Sequence, residues 1–586
     1  MPDAPDVLEI EALRRRQALM DRAGERVGSS LDVRETAQSI ADLLAPSVGA
    51  AAFVDLAEEV LNGDEPPRHD AVEPRPRMIR TAAAGDYPSD RLDIGDVVPM
   101  PAELPHLREV FVEGAVVLER RHAGDNLHRS VDPRLARRLL PPGTESRIIM
   151  PLRARGLVLG VAVVVECREE WAGDEDDLRQ LSLIASRAAL AVDNARRYER
   201  EHRTAVILQR QLLPSTTTDT TAATTFATYL PAGRRNVGGG DWFDVIPLSS
   251  ARVALVTGTV AGHGLRATAT MGRLRSAMGT LAVLDLEPDE LLTHLDDLVQ
   301  RLDAESGDDV QRVRAACTYL VHDPVSGHCV AAGAGGTAPV VVPPGGPATL
   351  MPMRAGPALG EGGAPFEVSE WDVVPGTLVA LYTRGLLDVV GAGPDDDPAD
   401  LLPGMLQRAS GTADGRRQEL SEISADVLRN VGPEGPPGDV VLLTGYLKTV
   451  DDAHTAHWTI PARPELVASM RAAVSKQLNE WGLDDLTVMA SELVISELVT
   501  NSVRYAGGSL EVRLIRTGHE LVCEVSDPAS TQPRLRRART TDEGGRGLFL
   551  VAQMTERWGC RYSADGKTIW TEQSLAAPEL NHPTQG

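Results

Sequence analysis

The residues best suited to chemistry lie near the end of the 586-residue chain. Glu497 and Asn501 stand four apart in the strongly helical run Ser496-Glu497-Leu498-Val499-Thr500-Asn501-Ser502-Val503-Arg504-Tyr505-Ala506. That spacing projects both from one helix face. A carboxylate beside a carboxamide suits Mg²⁺-nucleotide chemistry. The asparagine carbonyl can face the ion, and the carboxylate can activate a hydroxyl or water. A strand, Leu521 to Ser526, then ends in Asp527. Glu543-Gly544-Gly545-Arg546-Gly547 opens a helix from Leu548 to Met554. Glycines before a helix N-terminus make a nest for phosphate. Each feature alone is commonly structural; the three in this order are specific.

Together they resemble the GHKL ATPases, and among them the small anti-sigma-factor serine kinases. Ile460-Pro461-Ala462-Arg463-Pro464-Glu465 and Gly566-Lys567-Thr568-Ile569-Trp570 fit that group too. The resemblance implies Glu497 as general base and Asn501 as ligand of the Mg²⁺ that travels with ATP. It implies Asp527 as reader of the adenine amino group, with Gly545 and Gly547 in the phosphate lid. Pro528-Ala529 departs from the glycine that many relatives carry after the aspartate.

A second set of strings lies in the middle of the chain. Val237-Gly238-Gly239-Gly240-Asp241-Trp242-Phe243-Asp244-Val245, Ala261-Gly262-His263-Gly264-Leu265-Arg266-Ala267, Gly356-Pro357-Ala358-Leu359-Gly360 and Leu381-Tyr382-Thr383-Arg384-Gly385-Leu386 resemble the SpoIIE-like PPM serine/threonine phosphatases. That family implies hydrolysis by two Mn²⁺ or Mg²⁺ ions on clustered aspartates. Asp241 matches the first ligand. Thr259, Arg384 and Gly438 stand where the resemblance expects further aspartates, and Asp439 retains only the second acid of a late pair. Three of the four expected carboxylate ligands are thus absent, and Mn or Mg in this domain is doubtful. Arg384 is expected to pair with Asp241 where a metal would sit.

Other elements must position these sets. Apolar residues recur at helical spacing from Leu31 to Leu44. A hairpin follows as Arg147 to Leu152, a turn at Ala154-Arg155-Gly156, and Leu157 to Val165. The order of helix, strands, hairpin and long exit helix resembles a GAF sensor domain. The exit helix is expected to reach Leu213. Leu178, Leu181, Ala185, Ala188, Val192 and Ala195 form a 3-4 seam along it. Such a seam dimerises as a coiled coil or packs on its own domain. Thr216 to Thr225 and Val450 to His457 read as linkers, and the tail with Pro578 and Pro583 as disordered.

Bulk properties narrow the function. The net charge of -25 argues against a nucleic-acid binder. Lys448, Lys476 and Lys567 are the only lysines. The five scattered cysteines read as reduced thiols. The opening residues lack the apolar segment of a signal peptide, and the longest apolar run, Leu157 to Val165, falls far below the ~20 residues of a membrane helix. The expectation is a cytoplasmic protein with no membrane partner.

The fold class expected is multidomain α+β. It comprises a GAF α/β sensor at 30–196, a signalling helix and linker at 197–216, a PPM β-sandwich flanked by helices at 217–448, and a GHKL (Bergerat) α/β sandwich at 455–574. The resemblances imply a partner-switching regulator of an alternative sigma factor, acting on a STAS-type anti-anti-sigma protein. A homodimer through the exit helix is expected. The rivals are an active Mn-dependent phosphatase with rearranged ligands, and a non-catalytic ATP-binding scaffold that sequesters a sigma factor.

Overall fold

The computed structural model describes residues 7–68, 76–85, 92–99, 106, 108–120, 144, 146–167, 174–233, 239–305, 312–390, 398–411, 418–432, 435–529, 547–563 and 566–575. The chain divides into two compact units, Met1–Thr204 and Ala205–Gly586.

The first unit is built on a six-stranded antiparallel sheet. Its spatial order is Val97–Val98, Met78–Gly85, Gly49–Ala57, Leu157–Cys167, Ser146–Ala154 and Val117–Arg120. The hairpin turn carries positive φ at Arg155 (50°) and Gly156 (82°), as a tight two-residue connection requires. Helix Val33–Val48 is capped by Asp32, whose side chain accepts from the Arg34 and Glu35 amides.

Helix α1, Glu175–Leu212, is continuous for 38 residues. Its 3-4 seam does not face outward as a dimer surface. Leu181, Ala185, Ala188, Val192 and Ala195 are all buried in the core of their own unit, beside Ile40, Leu44 and Leu159. The expected homodimer face is therefore corrected to an internal packing face. The cause is the GAF sheet itself, whose apolar side needs a helical cover.

The second unit begins with a sandwich of two six-stranded sheets. Strands β1 (Ala223–Leu230), β2 (Asp241–Pro247), β3 (Val253–Val260), β4 (Leu378–Tyr382) and β5 (Val440–Leu447) matter most for the site. One sheet pairs β3 with β2 and with Ala315–His322; the other runs β4-β5-β1. Phe243, Leu255, Leu320, Val379, Leu381 and Leu443 fill the space between them. Helices Gly264–Ala282 and Pro288–Glu305 pack with Val256 and Tyr319, and helices Pro398–Ala409 and Leu420–Val427 with Ala380 and Leu442. The threonine run expected as a linker is instead strand, Thr217–Asp219 paired with β1. Threonine is β-branched and fits a pleated sheet well. The second expected linker also ends in strand, Thr455–Pro461.

The last part of the second unit is a five-stranded sheet under helices. Helix α2 (Asp485–Tyr505), strands β6 (Ser509–Arg516) and β7 (Glu520–Asp527), helix α3 (Gly547–Met554) and strands β8 (Arg557–Ser563) and β9 (Gly566–Ser574) compose it. The order is Thr455–Pro461, β6, β7, β9, β8. Helix α2 is, by length and composition, apolar enough to cross a membrane. Val494, Ile495, Leu498 and Val499 instead bury it against Val512, Cys523 and Ile569.

Candidate functional sites

In the sandwich, Asp241 opens β2 and lies opposite Thr259 of β3. The Thr259 hydroxyl donates to Asp241 Oδ1, and Thr383, just past β4, also bonds this carboxyl. Burial is the largest influence and raises the Asp241 carboxyl; the two hydroxyls oppose it, Asp439 adds to it, and the result is a pKa pushed up to about 7.

Asp439 precedes β5 and is saturated by the protein. Its Oδ1 accepts from the Ala232 amide at 2.9 Å. Its Oδ2 accepts from the Gly239 amide at 2.7 Å and from Gln209 Nε2 at 3.0 Å. Gln209 comes from the last turn of α1 and is fully buried. It also donates to the Asp241 carbonyl at 2.9 Å and accepts from the Tyr229 hydroxyl at 2.7 Å. A protein carboxamide therefore bonds the Asp439 carboxylate and the Asp241 backbone carbonyl.

Arg384 corrects the expectation made for it. It is exposed and, among the described residues, forms no ion pair with Asp241. The neighbouring Thr383, pointing inward, holds that carboxyl instead. Gly438 adds no side chain. Among the described residues no group of three or more His, Cys, Asp or Glu side chains is placed to hold a metal ion. The residues present do not fit the two-metal chemistry of the phosphatases.

The last domain is arranged differently. Glu497 and Asn501 lie on α2, both half-buried, and neither has a hydrogen-bond partner among the described residues. Gly547 begins α3 directly against Glu497. A Cβ built on Gly547 would fall inside contact distance of Glu497 Oε2. The backbone at the helix start thus reaches the acid only because no side chain intervenes. This close approach sets the start of α3 beside the Glu-Asn face. Gly545 lies outside the described residues.

Asp527 ends β7 on the same side of the sheet as α2. The Ser502 hydroxyl donates to its Oδ2 at 2.7 Å, and the Ala529 amide to its Oδ1 at 3.0 Å. Lys567 Nζ lies 2.8 Å from Oδ1. Composition and motif spacing gave no sign of Gln209 or Lys567 as site residues. Gln209 meets partners 32 and 230 positions away, which only folding brings together.

The second unit thus joins a helix-flanked double sheet to an α/β sandwich whose short helix opens on a glycine. Comparison with known families agrees. Residues 249–445 match Stage II sporulation protein E (SpoIIE), residues 460–572 match the histidine kinase-like ATPase domain, and residues 32–192 match the GAF domain. The chain thus carries a GAF domain, a SpoIIE-type PPM phosphatase domain and a GHKL-like ATPase domain.

Solved structures with similarity include the RsbU and RsbW domains of a Mycobacterium tuberculosis protein, at 24% identity over 61% of this chain and 96% of that one, TM-score 0.35. The SiaA PP2C domain of Pseudomonas aeruginosa shares 20% identity over 42% of this chain and 96% of that one, TM-score 0.34. The PP2C phosphatase domain of SpoIIE from Bacillus subtilis, with a fragment of its regulatory domain, shares 12% identity over 39% of this chain and 65% of that one, TM-score 0.32. A phosphatase-fold domain coupled to a histidine kinase-like ATPase domain fits a partner-switching regulator.

Proposed function

We propose that this chain is a cytoplasmic partner-switching regulator that phosphorylates, and no longer dephosphorylates, its partner. The partner is a STAS-type anti-anti-sigma protein that controls an alternative sigma factor. The ATPase domain binds ATP with Mg²⁺. Asn501 holds the ion, Asp527 meets the adenine amino group, and the loop with Gly545 and Gly547 closes over the phosphates. Glu497 takes the proton from the partner's serine hydroxyl as the serine oxygen bonds to the γ-phosphorus and the bond to ADP breaks.

One observation carries this reading: the acids of the phosphatase fold are satisfied within the protein, whereas Glu497 and Asn501 are not. Asp439 is satisfied by two amides and Gln209, and Asp241 by two hydroxyls. Glu497 and Asn501 are left without partners among the described residues, beside the glycine that opens α3. Half-buried polar groups with no protein partner are open to a ligand or to water.

The test is transfer of the γ-phosphate of ATP to candidate STAS proteins by the full chain, with Glu497→Gln as control. Transfer that needs Mg²⁺ and is lost in Glu497→Gln supports the proposal. Nucleotide binding without transfer to any STAS protein would favour the sigma-sequestering scaffold. Mn²⁺-dependent hydrolysis of p-nitrophenyl phosphate, lost in Asp241→Ala, would restore the phosphatase reading.

A further inference from the structure

The nucleotide domain contains an ion pair that its proposed chemistry does not use. Strands β7 and β9 are antiparallel neighbours, and Asp527 is the register partner of Lys567. Their side chains lie on the face that carries α2. Lys567 Nζ is 2.8 Å from Asp527 Oδ1 and 3.2 Å from the Ala529 carbonyl. The lysine side chain is 4% exposed and the aspartate 0%. Gly566 makes this approach possible. Its φ is +146°, and a Cβ there would collide with the Asp527 carbonyl.

Lysine is rare in this chain, which uses arginine for nearly all of its positive charge. An ammonium is compact and carries three rotatable donors, whereas a guanidinium is a broad planar fork. Two of the three Lys567 donors have acceptors in Asp527 and Ala529. Burying an ammonium with one donor unused is unfavourable. The unused donor sits beside the Asp527 carboxylate, which keeps one acceptor position on Oδ2 beyond the bonds from Ser502, Ala529 and Lys567.

An acceptor and a donor set 2.8 Å apart complement one particular edge of a base. Adenine presents a donor, its exocyclic amino group, next to an acceptor, ring nitrogen N1. Guanine presents the reverse order, an acceptor O6 next to the N1–H donor. The Ser502 hydroxyl and Ala529 amide hold the carboxylate in place, so the pair cannot easily invert to suit guanine.

We propose that Lys567 is a specificity-determining residue that donates a hydrogen bond to N1 of adenine, alongside Asp527 at the amino group. Base recognition becomes two-point. The lysine also sets an opposite charge beside the buried Asp527 carboxylate. This inference rests on the nucleotide-binding reading of the domain. It goes beyond that reading by giving a role to a residue outside the base, ligand and lid set.

The experiment is calorimetric titration of the full chain, with Mg²⁺ present, using ATP, 1-deazaadenosine triphosphate and GTP. The deaza analogue keeps the amino group and lacks the N1 acceptor. The wild-type chain should bind ATP about 10-fold or more tightly than the deaza analogue, the size expected when a charged donor loses its acceptor. GTP should bind more weakly than either. In Lys567→Met the ratio of the two adenine nucleotides should fall to near one, with the melting temperature recorded to show that the domain folds. The wild-type ratio needs no variant, so a Lys567→Met chain that fails to fold leaves the proposal exposed to refutation. Equal wild-type affinity for ATP and the deaza analogue would overturn the role of Lys567 and leave ATP binding intact. Persistence of the ratio in folded Lys567→Met would do the same. Absence of any ATP binding by the wild-type chain would overturn both this inference and the nucleotide-binding reading.

Discussion

Asp241 and Asp439 are neighbouring acids held in unlike ways. Asp439 is met by three N–H donors, whereas Asp241 has hydroxyl partners and a carboxyl pushed up to about 7 by burial. An acid whose folded pKa lies above its unfolded one destabilises the fold as pH rises between the two values. Asp241→Asn removes that cost and keeps the shape. We expect it to raise the melting temperature at pH 8, by the equivalent of about 1–2 kcal/mol, and by less at pH 4. Added Mn²⁺ should move neither protein. Stabilisation of the wild-type chain by Mn²⁺ would show that metal ligands exist elsewhere. At the other site Gly547→Ala pushes a methyl group at the Glu497 carboxylate. The carboxylate ends a flexible side chain, so it should swing away rather than unfold the helix. Phosphoryl transfer should fall by 10-fold or more while ATP affinity changes far less, because a displaced base costs rate and leaves ground-state binding intact.

Helix α1 runs from Glu175 to Leu212. Leu181 and Val192 are fully buried in the GAF unit. Leu181→Asp with Val192→Asp should therefore unfold that unit, by several kcal/mol, rather than split a dimer. Light scattering and near-ultraviolet circular dichroism of the double variant separate these outcomes. Gln209, near the helix end, bridges Asp439, the Asp241 carbonyl and Tyr229. Gln209→Ala leaves three buried groups short of a partner. A loss of about 2–3 kcal/mol in the denaturation free energy of the full chain is expected. A loss below ~0.5 kcal/mol would mean that water replaces the carboxamide without penalty.

Within the second unit, the phosphatase-fold and ATPase domains meet through a buried polar cluster. The turn between β2 and β3 places Ser250 and Ala251 both at positive φ, 61° and 62°. Glycine and asparagine are the usual residues there, so the turn is strained. Ser250 is fully buried; its hydroxyl bonds Glu524 of β7 and accepts from Arg561 of β8 at 2.9 Å, and its amide donates to Glu572 of β9 at 3.2 Å. Arg513 of β6 pairs with Glu524 and, at 3.4 Å, with Asp323 of the phosphatase fold. Burial would raise the Glu524 carboxyl, but the Arg561 and Arg513 guanidiniums outweigh it and hold it at about 2. A carboxyl lowered by folding stabilises above its unfolded pKa, near 4.3, and that stabilisation disappears as pH falls towards 2. The two domains should thus unfold in one transition at pH 7. Below pH 4 the contact should weaken and two transitions should separate in calorimetry. Glu524→Ala leaves two arginines facing each other and should cost about 3–5 kcal/mol at pH 7. A Glu524→Ala chain that still melts as one unit, with unchanged midpoint, would show that the contact contributes nothing.

The chemistry-bearing strings were legible in the sequence because they are local. Glu497 and Asn501 share a helix face by spacing alone, Gly547 announces a helix start, and Thr259 and Gly438 lack carboxylates whatever the fold does. The hairpin at Arg155-Gly156 was legible for the same reason, since turn geometry depends on adjacent residues. The helix seam was legible only as a pattern, because periodicity marks an apolar face without naming what covers it. Folding decided in favour of the GAF core over a second copy. The strand at Thr217–Asp219 was hidden because β-structure depends on a partner strand, here β1, more than on the residues themselves. Arg384 faces solvent while Thr383 turns inward, a choice made where β4 ends and beyond the reach of composition. The contacts that satisfy Asp439 and link Lys567 to Asp527 join residues far apart in the chain. Tertiary structure alone decides them, because a side chain's partner is set by where the backbone delivers it.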